Sequence, residues 1–366
     1  RPAISIQKSG GWTFGSPSVL MMFYRAPGEL QSELQEMDEC MPHYYKITNG
    51  HGQGAETIMR AEADFMRACF ADAQIMLERA YAQIDGNGQE NMALCCDFLA
   101  WRLSLCTSFT PRESFEQRRE ALLGLHNVAW LNILQSSCAY YYALLGLPEK
   151  IPAVFREHQL ASIHFLAPGK PMMELIENQV YLAQGEYAKV IGHSEALLGM
   201  CEAMHYALVA LHIRLQTAAA YEMLGKRETA DELLISALAA AEPDALYLPF
   251  VENYRYLKTA LTRGAGAKFA AFVRTVTPLG EDFVRRCGEK RAEASRPAAL
   301  AGLTERESAI AALVAKRLSN REIAEQLFLS EGSVKQYINQ IYSKLLITGD
   351  VRTKRKRLAE LAAPKS

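Results

Sequence analysis

The sequence predicts an all-α protein in which a superhelical array of helix pairs precedes a small four-helix domain. Three observations lead to this fold class. Apolar residues recur with helical spacing from about residue 55 to residue 263, and no long run alternates with period two. Prolines fall between these runs, where they interrupt no helical hydrogen bonds. A sharper set of helix-start signals then follows Leu303.

The chain has 366 residues, which is too long for one ordinary domain. We predict an N-terminal segment at 1–54 that leads into the array, a helical repeat domain at 55–287, a linker at 288–302 and a C-terminal domain at 303–366. The linker is predicted because the stretch GEKRAEASRPAALAG is polar, rich in alanine and broken by proline.

Charge is distributed unevenly along the chain. The whole sequence has a net charge of -1, but residues 303–366 contain 12 Lys and Arg against 7 Asp and Glu. The remainder contains 28 basic against 34 acidic residues. A basic tail on an acidic body is the asymmetry expected when only the tail meets nucleic acid.

Several function classes lack support in the sequence. The eight cysteines form no C-x-x-C pair and no zinc-ligand pattern, which fits a reducing cytoplasm. The glycine-rich stretch NGHGQGAE (49–56) lacks the Lys of a phosphate-binding loop, and no catalytic triad can be assigned. No signal peptide or membrane span is apparent. We therefore expect a cytoplasmic chain that is not an enzyme, contacts no membrane and holds no cofactor or metal.

The array contains a repeat of about 40 residues. The stretches YLAQGEYAKVIGHSEALL (181–198) and YEMLGKRETADELLISAL (221–238) share a Tyr, three residues, a Gly and then an apolar helix. Gly146, Gly185 and Gly225 follow at intervals of 39 and 40 positions, each at a predicted helix end. Because one helix pair cannot bury its apolar face alone, neighbouring pairs should stack. The pattern resembles lengthened tetratricopeptide repeats, although the Trp and closing Pro of that family are mostly absent.

Arrays of this kind have a concave face that binds peptides or small molecules, and aromatic residues are concentrated in the first half of this one. Tyrosines 140–142 cannot all face one core, because successive helical residues are rotated by about 100°. The candidate effector-facing residues are Trp101, Trp130, Tyr141 and Tyr181. The alternative interpretation is that these rings pack between repeats.

The C-terminal domain has clear helix starts. Thr304 with Glu307, and Ser319 with Glu322, have the spacing of capping boxes, and Ser330 is a third N-cap. In the helix that follows Ser330, one apolar stripe is formed by Val334, Ile338, Ile341 and Leu345. Only the turn FLS (328–330) separates the second and third helices, so the sequence predicts a helix-turn-helix.

The stretch LSEGSVKQYINQI (329–341) also carries a polar stripe opposite its apolar one. Lys335, Gln336 and Asn339 should face outward, and such side chains hydrogen-bond to base edges in the major groove. Phosphate contacts, which fix register without reading sequence, are predicted for Arg321, Ser333 and Lys344.

The tail closely resembles the LuxR-type DNA-binding domain, whose pattern includes L-T-x-R-E, S-N-x-E-I-A and S-x-x-T-V-K-x-H. The resemblance places Lys335, Gln336 and Asn339 at the base-facing positions and implies double-stranded DNA as the partner. It also implies a homodimer or higher oligomer on DNA, paired through the fourth helix at about 352–362. Tyr337 stands where the family has His, and KLLITGDVRTKRKRLAEL replaces the usual K-L-G-V and R-x-x-A.

A LuxR-type tail behind a helical array is similar to the large ATP-binding regulators of the MalT type. The stretch FGSPSVLMMFYRAPGEL (14–30) resembles the beginning of their repeat region. In that family a P-loop ATPase precedes the repeats, and the repeats sense an inducer. Because this chain begins with Arg and contains no P-loop motif, we expect it to be the C-terminal part of a longer protein.

Together these patterns predict a sequence-specific DNA-binding transcription regulator, and the resemblance implies an activator. It would bind DNA through 303–362 and a small-molecule or protein effector through 55–263. The alternative is a protein-interaction scaffold whose helical tail does not bind DNA.

Overall fold

The computed structural model describes residues 5–7, 11–13, 16–47, 50, 52–85, 88–163, 167–264, 266, 268–294 and 302–362. The regular secondary structure of the described residues is helical apart from a short antiparallel hairpin of β1 (Ser5–Gln7) and β2 (Gly11–Thr13), so the predicted all-α class is confirmed. The chain divides into two compact units, Arg1–Gly288 and Glu289–Ser366. Parts of three predicted features lie outside the described residues: residues 295–301 of the linker, 14–15 of the N-terminal stretch, and 49 and 51 of the glycine-rich loop.

The first unit is built from helices of very different lengths. They are α1 (Leu20–Phe23), α2 (Leu30–Ile47), α3 (Ala55–Met66), α4 (Phe70–Ile84), α5 (Glu90–Cys106), α6 (Phe115–Leu123), α7 (Val128–Leu145), α8 (Ala153–Arg156), α9 (Lys170–Gln184), α10 (Tyr187–Met204), α11 (Ala207–Met223), α12 (Arg227–Ala241), α13 (Leu248–Glu252), α14 (Tyr254–Gly264) and α15 (Ala270–Ala294). Short 3₁₀ helices occupy Pro148–Lys150, Leu160–Ser162, Ala167–Gly169 and Glu242–Asp244. Helix α15 therefore continues seven residues into the predicted linker.

The predicted role of the repeat glycines as helix ends is confirmed. Gly146, Gly185 and Gly225 have φ angles of 70°, 78° and 75° at the ends of α7, α9 and α11. Glycine adopts this left-handed conformation without the penalty that a Cβ imposes. After α9 and α11 the chain forms a full partner helix, and the pairs α9–α10 and α11–α12 pack together. After α7 it does not, because Pro148 and Pro152 interrupt the segment and leave only a 3₁₀ turn and the four-residue α8.

The early and late helices of the first unit are connected through α1 and α13. Helices α3, α5, α7, α9 and α11 pack in succession, and α1 and α13 each contact both α3 and α11. Two backbone hydrogen bonds join the same regions: Tyr247 N donates to Met66 O at 2.8 Å, and Ala207 N donates to Tyr24 O at 3.0 Å. The short helices α1 and α13 thus connect α3 with α11.

The second unit contains α16 (Glu305–Ala315), α17 (Asn320–Leu327), α18 (Glu331–Lys344) and α19 (Val351–Ala362). Its apolar core is shared by all four helices, with Ile310 of α16, Ile323 of α17, Ile341 of α18 and Leu358 of α19 each completely buried. This common core holds the surface of α18 in a fixed position within the unit.

Two kinds of feature are absent from the described residues. None of their helices is both long enough and apolar enough to pass through a membrane. Within the same part of the chain, no group of three or more His, Cys, Asp or Glu side chains could hold a metal ion.

Candidate nucleic-acid interface

The predicted helix starts of the second unit are confirmed. Thr304 accepts a hydrogen bond from Glu307 N, and the Glu307 side chain accepts one from Thr304 N, which completes a capping box. Ser319 and Glu322 form the same reciprocal pair at the start of α17. Ser330 begins α18, with its hydroxyl accepting from the amide of the third helical residue. Each cap satisfies amides that a helix N-terminus leaves unpaired, and so fixes where the helix begins.

The turn between α17 and α18 is as short as the sequence predicts. Phe328 adopts a left-handed conformation with φ of 52° directly after α17, and α18 begins after Leu329 and Ser330. Leu329 N donates to Ala324 O at 2.9 Å, which closes the end of α17. The two helices and this turn form the helix-turn-helix.

Helix α18 has one anchored face and one free face. Val334, Ile338 and Ile341 are buried in the common core, whereas Lys335, Gln336, Asn339 and Gln340 on the opposite face are exposed. Within the described part of the chain, Lys335, Gln336 and Asn339 make no side-chain hydrogen bond or ion pair. Their donors and acceptors are therefore available, which agrees with the geometry that base contacts require. The contacts themselves stay a prediction.

The three predicted phosphate-contacting residues are placed differently from one another. Arg321 at the start of α17 is exposed, and its Nε lies 3.1 Å from a Glu325 carboxylate oxygen. Because an exposed ion pair contributes little free energy, Arg321 can leave Glu325 at small cost. Ser333 is engaged at the start of α18, where its amide donates to the Ser330 hydroxyl at 3.0 Å and the two hydroxyls lie 2.8 Å apart.

Lys344 forms an ion pair within its own domain. Its Nζ donates to the buried Glu307 carboxylate at 2.7 Å. Burial alone would raise the pKa of Glu307, but hydrogen bonds from Lys344 and Thr304 hold that pKa below its ordinary value. Nine residues separate Lys344 from Lys335, which at about 100° per residue places the two side chains on opposite sides of α18. The Lys344 ammonium is therefore poorly placed to contact a phosphate on the face of α18 that carries Lys335.

Sequence reasoning missed Arg355, which attaches α19 to the helix-turn-helix. Its guanidinium donates to Leu318 O at 2.6 Å and to Asn320 Oδ1 at 2.8 Å. Arg306 has a similar role at the other end of α17, where it donates to Leu327 O at 3.0 Å. The run RTKRKR (352–357) predicts a positively charged segment, but it does not show which of its side chains point inward.

The candidate effector-facing residues are mostly internal. Trp101 and Trp130 are only 3% and 6% exposed and belong, with the half-buried Tyr141, to one apolar cluster. Trp101 Nε1 donates to Glu113 O at 3.0 Å, which satisfies its polar atom. Tyr181 lies elsewhere and stacks on His158 with ring centroids 4.0 Å apart. The burial of Trp101, Trp130 and Tyr181 favours the packing interpretation for these three rings, because buried rings present no surface to a ligand, whereas the half-buried Tyr141 stays an effector-facing candidate.

A cleft of about 350 Å³ lies between α1, α2 and the end of α10, where no sequence pattern indicated one. It is mostly apolar and is lined by Met22, Phe23, Arg25, Glu33, Glu36, Met37, Cys40, Met41, His43, Tyr44, Ile47, Met204 and His205. At its polar end Arg25 pairs with both Glu33 and Glu36, so two carboxylates already share this one guanidinium.

Comparison with known proteins identifies the second unit. Residues 301–355 match the family model of bacterial regulatory proteins of the luxR family. Over 55 residues the chain is 44% identical to the transcriptional regulatory protein LnrK of Bacillus subtilis. It is 36% identical over 55 residues to the DNA-binding transcriptional activator DevR/DosR of Mycobacterium tuberculosis.

Both alignments cover 15% of this chain and 25% of the relative, so the chain spans a quarter of the length of these proteins. No solved structure matches the chain. The C-terminal unit is a LuxR-type helix-turn-helix domain, as the predicted resemblance implies.

Proposed function

We propose that this chain is a transcription regulator that reads double-stranded DNA through α18 and senses an effector through its helical array. The observation that carries the proposal is the free face of α18, where Lys335, Gln336 and Asn339 are exposed beside an anchored apolar stripe. Amide side chains can pair with adenine and a lysine with guanine in the major groove. The family match of residues 301–355 and the names of both relatives support the same function.

An activating role is part of this function. One of the two relatives is named as an activator, and we extend that role to this chain. A helical array before a LuxR-type domain further supports a regulator of the MalT type, with an ATPase domain in the full-length protein, acting in the cytoplasm where bacterial DNA lies. The chain itself would bind and signal without catalysing a reaction or holding a cofactor.

The cleft beside α2 is the proposed effector site, and most of its lining comes from residues 22–47, before the range 55–263 that the sequence predicts for effector binding. Its volume of about 350 Å³ falls in the range of small-molecule pockets. Methionines contribute four of its lining residues, and their flexible side chains adapt to irregular ligands. Because the Arg25 guanidinium already pairs with two carboxylates, it is not available to bind a negatively charged ligand. The effector that fits these walls is a small apolar molecule without negative charge.

Fluorescence anisotropy on duplex DNA taken from upstream of the gene tests the DNA-binding part. The wild-type chain should bind this DNA more tightly than a random duplex of equal length and lose on the order of 10³–10⁵ in affinity between roughly 50 and 200 mM salt. A Lys335→Ala/Gln336→Ala/Asn339→Ala variant should bind both duplexes equally. Full discrimination by the variant would remove α18 as the reading element, and absence of any salt-dependent binding would favour the scaffold alternative.

A further inference from the structure

A second cavity, of about 310 Å³, lies between the end of α4, the start of α5 and the chain that leads into α6. Its volume is within the range of small-molecule sites, and it shares no lining residue with the cleft beside α2. Most of its lining is polar. The charged and aromatic side chains that line it are Tyr81, Asp85, Glu90, Arg112, Glu113 and Arg118.

Arg118 is held in this cavity by three carboxylates. Its Nε lies 2.6 Å from an oxygen of the buried Asp97 and 3.4 Å from an oxygen of Glu113. Its Nη1 lies 3.3 Å from an oxygen of Glu90. The other oxygen of Asp97 accepts a hydrogen bond from the Tyr81 hydroxyl at 2.7 Å. Because one guanidinium is shared among three carboxylates, Arg118 offers no unpaired charge to an anionic ligand.

Arg112 shows how the wall of the cavity binds a guanidinium. The central carbon of this group lies 4.3 Å from the centre of the Tyr81 ring. The same group pairs with Glu78, and its Nη1 lies 3.4 Å from an oxygen of Asp85. An aromatic face with carboxylates beside it is an arrangement that recognises organic cations. Since the Arg112 side chain is 38% exposed, it can leave these partners at small cost.

The charge of these ion-pair groups is unbalanced. The two guanidiniums are accompanied by five carboxylates, those of Glu78, Asp85, Glu90, Asp97 and Glu113. The side chains of Glu90, Glu113 and Asp85 are 28%, 37% and 66% exposed, so their oxygens can accept further hydrogen bonds. The excess of negative charge repels an anion and attracts a cation.

The geometry of the carboxylates favours an organic cation over a metal ion. In the part of the chain that the structure describes, no group of three or more His, Cys, Asp or Glu side chains converges as metal ligands would. Carboxylates spread around a cavity suit a molecule whose N–H donors are also spread along its length.

The wall of the cavity beside Glu90 is held in place by the glycine-rich stretch before α3. Gln89 is 7% exposed, and its Oε1 accepts a hydrogen bond from Gly52 N at 2.9 Å. Its Nε2 donates to Gly50 O at 3.1 Å. These two bonds fix the start of α5, which carries Glu90, so this side of the cavity is formed before a ligand arrives.

We propose that this cavity binds a small organic cation with guanidinium or ammonium groups, held by Asp85, Glu90 and Glu113 beside the Tyr81 ring. Arg112 then competes with the ligand for Tyr81 and Asp85. The proposed site is separate from DNA reading by α18 and from the apolar cleft beside α2, so neither of those depends on it. It gives the array a second site with a different ligand chemistry.

Isothermal titration calorimetry of the full chain with agmatine tests this site. Agmatine carries a guanidinium at one end and an ammonium at the other. At low ionic strength, where charges are least screened, the wild type should bind it at a single saturable site. 4-Guanidinobutanoate has a carboxylate in place of the ammonium and should bind at least roughly tenfold more weakly. Equal affinity for the two molecules would contradict recognition by carboxylates.

Two variants should change the affinity for agmatine in opposite directions. Asp85→Asn/Glu113→Gln keeps the buried pair of Arg118 with Asp97 and should weaken binding at least roughly tenfold, because charge-assisted hydrogen bonds are lost. Arg112→Gln removes the competing guanidinium and should strengthen binding by up to roughly fivefold, the equivalent of one exposed ion pair. A gain in affinity cannot come from a variant that fails to fold.

The matched controls make the same changes of charge elsewhere on the array. Glu195→Gln/Glu232→Gln on the exposed surfaces of α10 and α12, and Arg227→Gln at the start of α12, should keep the wild-type affinity. If Glu195→Gln/Glu232→Gln weakens binding as much as the cavity variant does, the overall charge of the protein attracts agmatine and the site is overturned. A wild type that does not saturate below about 10 mM agmatine would also overturn it. The same holds if Arg112→Gln binds no more tightly than Arg227→Gln.

Discussion

Arg102 and Glu252 form a two-pronged ion pair inside the array, although 150 residues separate them in the chain. Arg102 Nε and Nη2 donate to the two Glu252 oxygens at 2.8 and 3.0 Å, and each side chain is only 1% exposed. Tyr140 Oη donates to the same carboxylate at 2.8 Å. The three residues lie on α5, α7 and α13, so one polar network connects the first half of the array to its last helices.

Breaking this pair from one side should strongly destabilise the array. Arg102→Met leaves the Glu252 carboxylate buried without its cation, which costs about 3–5 kcal/mol in comparable cases. Urea unfolding followed by the fluorescence of the buried Trp101 and Trp130 measures the loss. The double variant Arg102→Met/Glu252→Leu is the control, because it removes both charges of the pair and should recover most of the stability. A single variant that loses under about 1 kcal/mol would contradict a structural role for the pair.

Glu62 should make the stability of the array depend on pH. It is buried beside α1, where Leu20 N donates to its Oε2 at 2.6 Å, and burial raises its pKa to about 7. Because the raised pKa favours the protonated carboxyl in the folded state, the stabilisation is complete below the unfolded value near 4.5. It is lost as pH rises from there through about 7.

The matching variant is Glu62→Gln, which stays neutral at every pH. Between pH 4.5 and 8 the wild type should lose on the order of 3 kcal/mol more of its unfolding free energy than this variant. Urea unfolding at several pH values gives the difference. Burial also raises the pKa of Glu177 to about 7. The unfolding free energy of both proteins should therefore also fall with rising pH because of that residue. Parallel curves for the two proteins would show that Glu62 is charged when folded.

Alanine substitution at two glycines of α15 should change the stability of the protein in opposite directions. A Cβ at Gly280 would lie 2.3 Å from Tyr254 Cγ, whereas a Cβ at Gly288 meets no atom within 4 Å. Gly280→Ala should therefore destabilise the packing of α15 on α14 by about 1–3 kcal/mol. Gly288→Ala should stabilise the helix by about 0.5–1 kcal/mol, because alanine loses less backbone entropy there. Thermal unfolding that moves in the same direction for both variants would refute this assignment.

Substitution of Lys344 should change the stability of the DNA-binding domain, whereas substitution of Arg321 should change its binding to DNA. Lys344→Gln removes the partner of the buried Glu307, so the melting temperature of the DNA-binding domain should fall while the salt dependence of DNA binding changes little. Arg321→Gln should reduce the salt slope, which is the slope of the logarithm of affinity against the logarithm of salt concentration, by about 0.9 and leave the melting temperature unchanged, since its pair with Glu325 is exposed. Calorimetry and the anisotropy titration give the two quantities. A salt slope that falls equally in both variants would restore Lys344 as a phosphate contact.

Local signals in the sequence were reliable, whereas long-range pairings were not visible. The capping boxes at Thr304 and Ser319 and the glycine that ends α9 are set by neighbours within one or two helical turns, so spacing alone reveals them. The pairing of Arg102 with Glu252 depends on where the fold brings α5 and α13 together, which no local pattern encodes. The same limit explains why aromatic clustering suggested a ligand surface at Trp101, which instead packs internally.

The cleft beside α2 provides the last prediction. Cys40 lines it, so Cys40→Phe adds a ring inside the space that the proposed apolar effector would occupy. A steric clash of this size costs about 1–3 kcal/mol, which corresponds to roughly 5- to 150-fold in affinity. Nile red, an uncharged apolar dye, is the probe, and its fluorescence enhancement on titration with the protein measures binding.

Cys69→Phe is the matched control, because this exposed cysteine in the turn before α4 receives the same ring outside the cleft. The wild type and Cys69→Phe should bind the dye with equal, saturable affinity, and Cys40→Phe should bind it roughly 5- to 150-fold more weakly. An anionic dye of similar size should bind the wild type poorly, since Arg25 at the polar end of the cleft is already paired with two carboxylates. Equal affinities for all three proteins would place the dye elsewhere and remove the cleft as the effector site.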